Sequence, residues 1–122
     1  SMEKIHCICK MRDLYKAITE LEDSLMQLHG ITLNEAMAMC SIGKDAVAAG
    51  EISQRTGIKA SHLSKVLHSA ENKGFLVRNF GETDKRQIYF TLTDSALACL
   101  ESLKCEGLPV PALLTDFFNC NQ

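Results

Sequence analysis

A short helical stretch of this chain carries hydroxyl, imidazole and ammonium side chains along one face. The apolar residues of the stretch recur at helical spacing and define a buried face made of Leu63, Val66, Leu67 and Ala70. The opposite face carries Ser61, His62, Ser64, Lys65 and His68. Side chains of these types hydrogen-bond phosphate oxygens and the edges of nucleic-acid bases. Lys59 lies just before the helix, where free backbone N–H groups also favour phosphate.

A second cationic group follows in a predicted β-hairpin. Two runs rich in β-forming side chains flank a polar turn, which brings Lys85 and Arg86 to an exposed tip. Asp84 is placed to orient Arg86 through a charge-assisted hydrogen bond. Arg78, on the first strand, is a further candidate for phosphate contact. The predicted strands span residues 75–80 and 87–92.

These groups belong to an ordered series of short elements. A helix over residues 51–56 ends at Gly57, and a second helix runs from its predicted N-cap, Ser61, to about Lys73. Because glycine accepts a positive φ, the turn lets the two helices pack at a steep angle. This order is typical of a winged helix-turn-helix. Its second helix enters the major groove of DNA, and its hairpin, the wing, reaches the minor groove.

Other helical segments surround this series. The amphipathic pattern over residues 3–29 has more apolar surface than one stripe, which fits either a subunit contact or packing within one chain. Thr32 and Glu35 form a capping box at the start of the next helix. We predict one domain over residues 1–122, mainly α-helical with a small β-hairpin wing. The remaining predicted elements are a strand at 47–48, a helix capped by Thr93 or Asp94, and a last helix over 112–118.

The charge of the chain is unevenly distributed. The whole chain has a net charge of −2, but residues 55–86 contain seven basic and three acidic residues, a net charge of +4. The remainder has a net charge of −6. A focused positive region attracts phosphates even when the whole protein is acidic. The same clustering also fits an ordinary solvated face, so the charge pattern alone leaves both interpretations open.

Several other classes of protein are disfavoured. No apolar run is long enough to cross a membrane, and the first residues lack the apolar core of a secretory signal, so we expect a cytoplasmic protein. Catalytic motifs such as H-E-x-x-H, a phosphate-binding glycine loop or a nucleophile elbow are missing. We therefore expect no enzymatic activity, no cofactor and no metal site.

The cysteines have two interpretations. Their spacing lacks the paired C-x2-C pattern of metal sites, and free thiols acting as small apolar side chains are the first interpretation. A redox-sensing thiol is the second. Its candidates are the residues near the chain ends, Cys7, Cys9 and Cys120.

The stretch from Thr32 to about Leu103 resembles the MarR family of bacterial winged-helix transcriptional regulators. The wing carries the resemblance: residues 84–93 read DKRQIYFTLT, similar to the family pattern of D-x-R followed by an apolar strand that ends in L-T. Residues 72–76, NKGFL, are similar to the family's passage from recognition helix to wing.

This resemblance implies a homodimer that binds a pseudo-palindromic operator in double-stranded DNA. Residues 3–29 and 94–120 would form the dimerisation helices. Carried over by position, Ser61, Ser64 and Lys65 correspond to the recognition helix, and Asp84 and Arg86 to the wing. A small-molecule effector or thiol oxidation would tune DNA affinity.

We therefore expect a sequence-specific DNA-binding transcriptional regulator, acting as a repressor, in the bacterial cytoplasm. Phosphate contacts from Lys59, Lys65, Arg78 and Lys85 would supply affinity, and His62, Ser64, His68 and Arg86 would read the sequence. Two alternatives stay open. One is a winged helix that serves only as a protein–protein interaction module, and the other is a thiol-based redox-sensing regulator.

Overall fold

The computed structural model describes residues 1–119 of the chain. Helix predominates in this part of the chain, and the strands are short. The elements in order are α1 (Cys9–His29), α2 (Leu33–Ile42), β1 (Val47–Ala48), α3 (Ala49–Thr56), α4 (Ala60–Asn72), β2 (Leu76–Phe80), β3 (Ile88–Leu92), α5 (Asp94–Glu106), a 3-10 turn (Ala112–Leu114) and α6 (Thr115–Phe118). The prediction of a mainly α-helical chain with a small hairpin is confirmed.

The chain divides into two compact units. The terminal unit comprises residues 1–30 and the chain from Leu108 onward, and the winged unit comprises Ile31–Gly107. Every residue predicted to contact DNA belongs to the winged unit. The segment 94–120, expected to be a dimerisation helix, is divided, because α5 belongs to the winged unit and α6 to the terminal unit.

The winged unit encloses its core between helices and a three-stranded antiparallel sheet. The strand order is β1-β3-β2, so Phe90 of the central strand lies opposite Val47 on one side and Arg78 on the other. The short strand predicted at Val47–Ala48 is thereby confirmed as the edge of this sheet. The core is contributed by every layer and includes Ala38, Ile42, Val47, Ile52, Ile58, Leu63, Val66, Leu67, Ala70, Leu76 and Phe90.

The terminal unit has a much smaller core. Ala17 and Leu21, on one face of α1, pack against Leu114 of the 3-10 turn. Three half-buried residues extend this contact: Ile18, Leu108 and Val110. Most of the apolar surface predicted for the first helix therefore lies outside the core of its own unit.

Side-chain caps mark the N-termini of α2 and α5, the helices that precede and follow the helix-turn-helix and wing. The predicted capping box at the start of α2 is present, with the Glu35 backbone N–H donating to Thr32 Oγ1 and the Thr32 backbone N–H to Glu35 Oε1. Thr93 caps α5 by accepting from the Ala96 backbone N–H at 3.2 Å. Its hydroxyl also donates to the Gly74 carbonyl at 2.7 Å, which ties the end of the wing to the corner after α4.

Three predicted helix starts were wrong, including that of α3, which begins at Ala49 and not at residue 51. The first helix begins at Cys9 and not at residue 3, because the apolar period that predicted the helix does not mark its first residue. The recognition helix, α4, begins at Ala60 with Lys59 as its N-cap residue, so Ser61 is not the N-cap. The Lys59 carbonyl already accepts the backbone N–H groups of His62 and Leu63, which places Ser61 inside the first turn.

Candidate nucleic-acid interface

The start of α4 lacks the groups that usually neutralise a helix N-terminus. Lys59 has an extended backbone, its side chain makes no cap, and the first turn contains no acidic residue. The backbone N–H groups of Ala60 and Ser61 precede the first bonds to the Lys59 carbonyl, and such groups have no intrahelical acceptor and carry partial positive charge. An uncapped N-terminus beside a lysine favours an anionic ligand.

The polar face predicted for α4 is exposed along its length. Its predicted contact residues are all exposed: Ser61, His62, Ser64, Lys65 and His68. The opposite face is buried in the core of the winged unit, as the apolar spacing predicted. Lys65 has no carboxylate partner among the described residues, and the same is true of Lys59. Both ammonium groups are therefore available to an external anion.

The wing turn is closed and ordered by its own hydrogen bonds. The Gly81 backbone N–H donates to the Gln87 carbonyl at 2.9 Å, and the Gln87 N–H donates to the Asp84 carbonyl at 3.1 Å. The Asp84 carboxylate also accepts three hydrogen bonds from Arg86, one from the backbone N–H and two from the guanidinium group, at donor–acceptor distances of 3.0 to 3.2 Å. These bonds from Arg86 hold the pKa of the Asp84 carboxyl below its usual value.

The contact between Asp84 and Arg86 matches the geometry expected from the sequence. The Arg86 side chain is 92% exposed although it is held by Asp84, so its remaining donors face solvent. Lys85 is exposed beside it, without a carboxylate partner in the part of the chain that the structure describes. The tip of the wing thus presents two cations.

Arg78 differs from the other predicted contacts, because the protein itself engages its guanidinium group. Arg78 Nε donates to both carboxylate oxygens of Glu71 at 3.0 and 3.1 Å. The same group lies 5.5 Å from the centre of the Phe90 ring, within cation–π distance. Arg78 therefore joins the end of α4 to the sheet, and a phosphate contact from it stays a prediction.

A buried carboxylate that the sequence showed only as a cap joins α2 to α4. Glu35 is 1% exposed, and it accepts Lys73 Nζ at 2.7 Å and Ser69 Oγ at 2.7 Å besides the Thr32 N–H. Burial raises the pKa of Glu35, but the hydrogen bonds from Lys73, Thr32 and Ser69 outweigh it, and the net direction is downward. No local spacing could reveal this contact, since Lys73 follows 38 residues later.

A second contact between the same helices involves a predicted DNA-reading residue. Asn34 Nδ2 lies 3.0 Å from His62 Nε2. Asn34 belongs to the first turn of α2, and nothing in its sequence position distinguishes it from an ordinary polar helix residue. The exposed ring of His62 therefore has a partner within the protein.

A small cleft separates the recognition helix from the sheet. Its volume is about 240 Å³, and Ser64 of α4 and Arg78 of β2 both line it. Its other lining residues are mainly apolar: Ala49, Gly50, Ala60, Leu63, Leu67, Ile88 and Phe90. The cleft therefore has an apolar interior with two polar groups.

The cysteines of the described residues differ in exposure and in thiol pKa. Cys7 and Cys9 are exposed, as are Cys40 and Cys105. Burial raises the pKa of the Cys99 thiol, and a hydrogen bond to the Glu101 carboxylate raises that of Cys105, so neither is activated. Cys120, the third predicted redox candidate, lies outside the described residues.

No cluster of three or more histidine, cysteine, aspartate or glutamate side chains within residues 1–119 is arranged to hold a metal ion. No helix in this range is both long and apolar enough to span a bilayer.

Neither of two sequence comparisons finds a match for the chain. No protein-family profile matches it, and no curated protein is significantly similar in sequence. Structural comparison, in contrast, finds similar folds.

AbsC, a MarR-family transcriptional regulator from Streptomyces coelicolor, superposes with a TM-score of 0.70 at 20% identity, over 88% of this chain and 76% of AbsC. MepR of S. aureus in complex with DNA gives a TM-score of 0.63 at 18% identity, over 77% and 78% of the two chains. BpsR of Bordetella bronchiseptica, whose DNA binding is regulated by 6-hydroxynicotinic acid, gives 0.64 at 16% identity, over 84% and 76%.

These similarities define the class of fold. The chain is a winged helix-turn-helix protein, with α3 and α4 as the helix pair and β2 and β3 as the wing. More specifically, its fold is that of the MarR-like regulators, as the wing sequence indicated.

Proposed function

We propose that this protein is a sequence-specific regulator of transcription that binds double-stranded DNA. The observation that carries the proposal is the uncapped N-terminus of α4, followed by an exposed polar face, in a MarR-like winged helix. In this fold α4 would enter the major groove and the wing would reach the minor groove. MepR, which has a similar fold, has been crystallised with DNA.

The proposed contacts separate into two kinds. Lys59, Lys65 and Lys85 would neutralise phosphates, since each lacks an internal carboxylate partner in the described residues. Ser61, His62, Ser64 and His68 would reach base edges, and Arg86 would enter the minor groove under the control of Asp84. Arg78 would contribute less than the sequence suggested, because Glu71 already engages it.

We further propose that the protein acts as a homodimer on a pseudo-palindromic operator, as a cytoplasmic repressor in a bacterium. The exposed apolar surface of the terminal unit supports a dimer, and segments 3–29 and 94–120 would contribute to it. Two recognition helices related by a twofold axis would then meet half-sites about one helical turn apart.

A charge-matched pair of variants tests the mechanism. We expect Lys85→Ala/Arg86→Ala to weaken binding to any duplex and to lower the slope of log affinity against log salt by about 1.8 per protomer. Lys44→Ala/Lys104→Ala removes the same charge from exposed positions of the winged unit and should change the slope little. Fluorescence anisotropy over a salt series measures both. Equal slopes for the two variants would remove the wing from the mechanism.

A small-molecule effector is a further part of the proposal. The cleft between α4 and the sheet has room for a small aromatic acid, and the Nη groups of Arg78, whose Nε is bonded to Glu71, would donate to its carboxylate. BpsR, of similar fold, is regulated by such an acid. Redox control through Cys7 or Cys9 stays an alternative, supported only by the exposure of these thiols.

The competing function is a winged helix that binds only protein. Retention on immobilised nonspecific duplex at low salt distinguishes the two functions. Only a DNA-binding protein is retained there, and it is then released as the salt concentration rises. A chain that passes through such a column unretained would favour the interaction module.

A further inference from the structure

The contact between Asn34 and His62 joins the helix preceding the helix-turn-helix to the helix proposed to read DNA. Asn34 is the second residue of α2, and His62 is the third residue of α4. Their side-chain nitrogens, Nδ2 and Nε2, are 3.0 Å apart. His62 is exposed, so its ring is held by a partner and still accessible to a ligand.

The orientation of the Asn34 amide favours one position of the proton on the imidazole. Nδ2 of Asn34 faces Nε2 of His62, and an amide nitrogen is only a donor, so this orientation pairs with the tautomer in which Nε2 is unprotonated and accepts. A neutral imidazole has one N–H, which is then on Nδ1. His62 therefore offers an external ligand a donor and not an acceptor at Nδ1.

We propose that Asn34 is a positioning residue that fixes His62 as an Nδ1–H donor and thereby sets which bases α4 accepts. The proposal rests on the proposed function, since it assumes that α4 lies in the major groove. There guanine offers N7 and O6, adenine N7 and thymine O4 as acceptors, whereas cytosine offers only the N4 donor. A donor at His62 therefore excludes cytosine from the base that it contacts.

His68 provides an internal comparison on the same helix. It is exposed like His62, but its ring has no hydrogen-bond partner within residues 1–119. Its tautomer is free to adapt to either a donor or an acceptor. A substitution of Asn34 should therefore change the base preference at the position that His62 contacts and leave the position that His68 contacts unchanged.

The first measurement is made on the free protein, without DNA. Long-range nitrogen–proton NMR near pH 8, where histidine side chains are ordinarily neutral, reports the tautomer of each ring. We expect the Nδ1–H form for His62. Asn34→Leu should give a mixture of tautomers at His62 and leave His68 unchanged. An Nε2–H form of His62 in the unaltered protein would overturn the proposal, whatever the protein binds.

The second measurement is oligonucleotide selection at the same pH. We expect the unaltered protein to disfavour cytosine about tenfold at one position of each half-site, and Asn34→Leu to lose this exclusion. Asn34→Asp reverses the contact, because a carboxylate accepts from Nε2–H and leaves Nδ1 as an acceptor. Cytosine should then be preferred, provided that the NMR spectrum shows a neutral ring. The acid lies in the first turn of α2, where the helix dipole stabilises it.

A double variant completes the design. In a His62→Gln background, the choice of residue at position 34 should no longer affect base preference. If the unaltered protein binds a random duplex but base preference is the same with Asn, Leu and Asp at position 34, the inference fails and the proposed function stands. If it binds no duplex at low salt, the proposed function fails and the readout role fails with it, while the NMR result still judges the tautomer.

Discussion

The two units of the chain treat their apolar residues in opposite ways. Eleven of the large hydrophobic residues that are exposed within residues 1–119 belong to the terminal unit, and only Val77 and Phe80 belong to the winged unit. The eleven are Met2, Ile5, Ile8, Met11, Leu14, Tyr15, Met26, Leu28, Leu113, Phe117 and Phe118. The winged unit buries its apolar side chains in its own core, whereas the terminal unit leaves most of its own in solvent.

This difference indicates different sources of stability. Burial of apolar area stabilises a fold by about 25 cal/mol per Å², so the winged unit gains from eleven buried core residues. The terminal unit has three such residues in its cluster and a large uncovered surface of the kind that marks interaction sites. We infer that the winged unit holds itself together and that the terminal unit requires a partner surface.

The core of the winged unit provides the strongest test. Ile52 of α3 is fully buried, and Ile52→Ala should lower the free energy of unfolding by about 2–5 kcal/mol, because it removes buried methyl groups and leaves a cavity. Chemical denaturation monitored by circular dichroism measures the loss. The loss should be the same at every protein concentration. A strongly concentration-dependent loss would mean that the winged unit also relies on a partner.

Substitutions on the exposed face of α1 should change the assembly of the protein, in contrast to the core substitution. Met11 and Leu14 are 55% and 49% exposed. Placing charge there with Met11→Glu/Leu14→Glu should raise the dimer dissociation constant by about thirtyfold or more, since central apolar contacts contribute about 2 kcal/mol or more to an interface. Analytical ultracentrifugation measures the assembly.

A control at polar positions of the same helix distinguishes apolar contact from charge. Arg12→Gln/Lys16→Gln lowers the net charge by the same amount at exposed sites and should leave the dissociation constant nearly unchanged. Similar weakening by both pairs would show that charge, not apolar surface, governs assembly. If the unaltered protein is a monomer, the inference that the terminal unit requires a partner surface is wrong.

The smallest expected effect concerns the buried carboxylate of the winged unit. Glu35→Gln should lower the free energy of unfolding by about 1–3 kcal/mol at neutral pH, because it weakens the charge-assisted bonds from Lys73 and Ser69. Denaturant titrations at a series of pH values measure this difference.

The pH dependence of this loss has a definite sign. The pKa of Glu35 is lower in the folded protein than its ordinary value of 4.5. The carboxylate therefore stabilises the fold fully above that value, and the contribution is lost as the pH falls through the folded pKa. The unaltered protein and Glu35→Gln should converge in acid. Parallel pH profiles for the two proteins would show that Glu35 is not the titrating group.

Much of the winged unit could be predicted because its signals are local. The capping box at Thr32, the glycine turn at Gly57 and the hairpin each depend on residues a few positions apart. The contact between Asp84 and Arg86 is of the same kind, since a turn brings two such close residues together whatever surrounds it. The three wrong helix starts also concern local signals, because the apolar period of a helix does not mark its first residue.

The sequence by itself thus determined the class of elements, their order and the polar face of α4. The tertiary structure decided how those side chains are held. Arg78 forms an ion pair with Glu71, and Glu35 forms one with Lys73. Asn34 contacts His62, although 28 residues separate them. The reason is geometric, because contacts within an element follow from the helical or strand repeat. Contacts between elements depend on the angle and depth at which α2, α4 and the sheet pack around a common core.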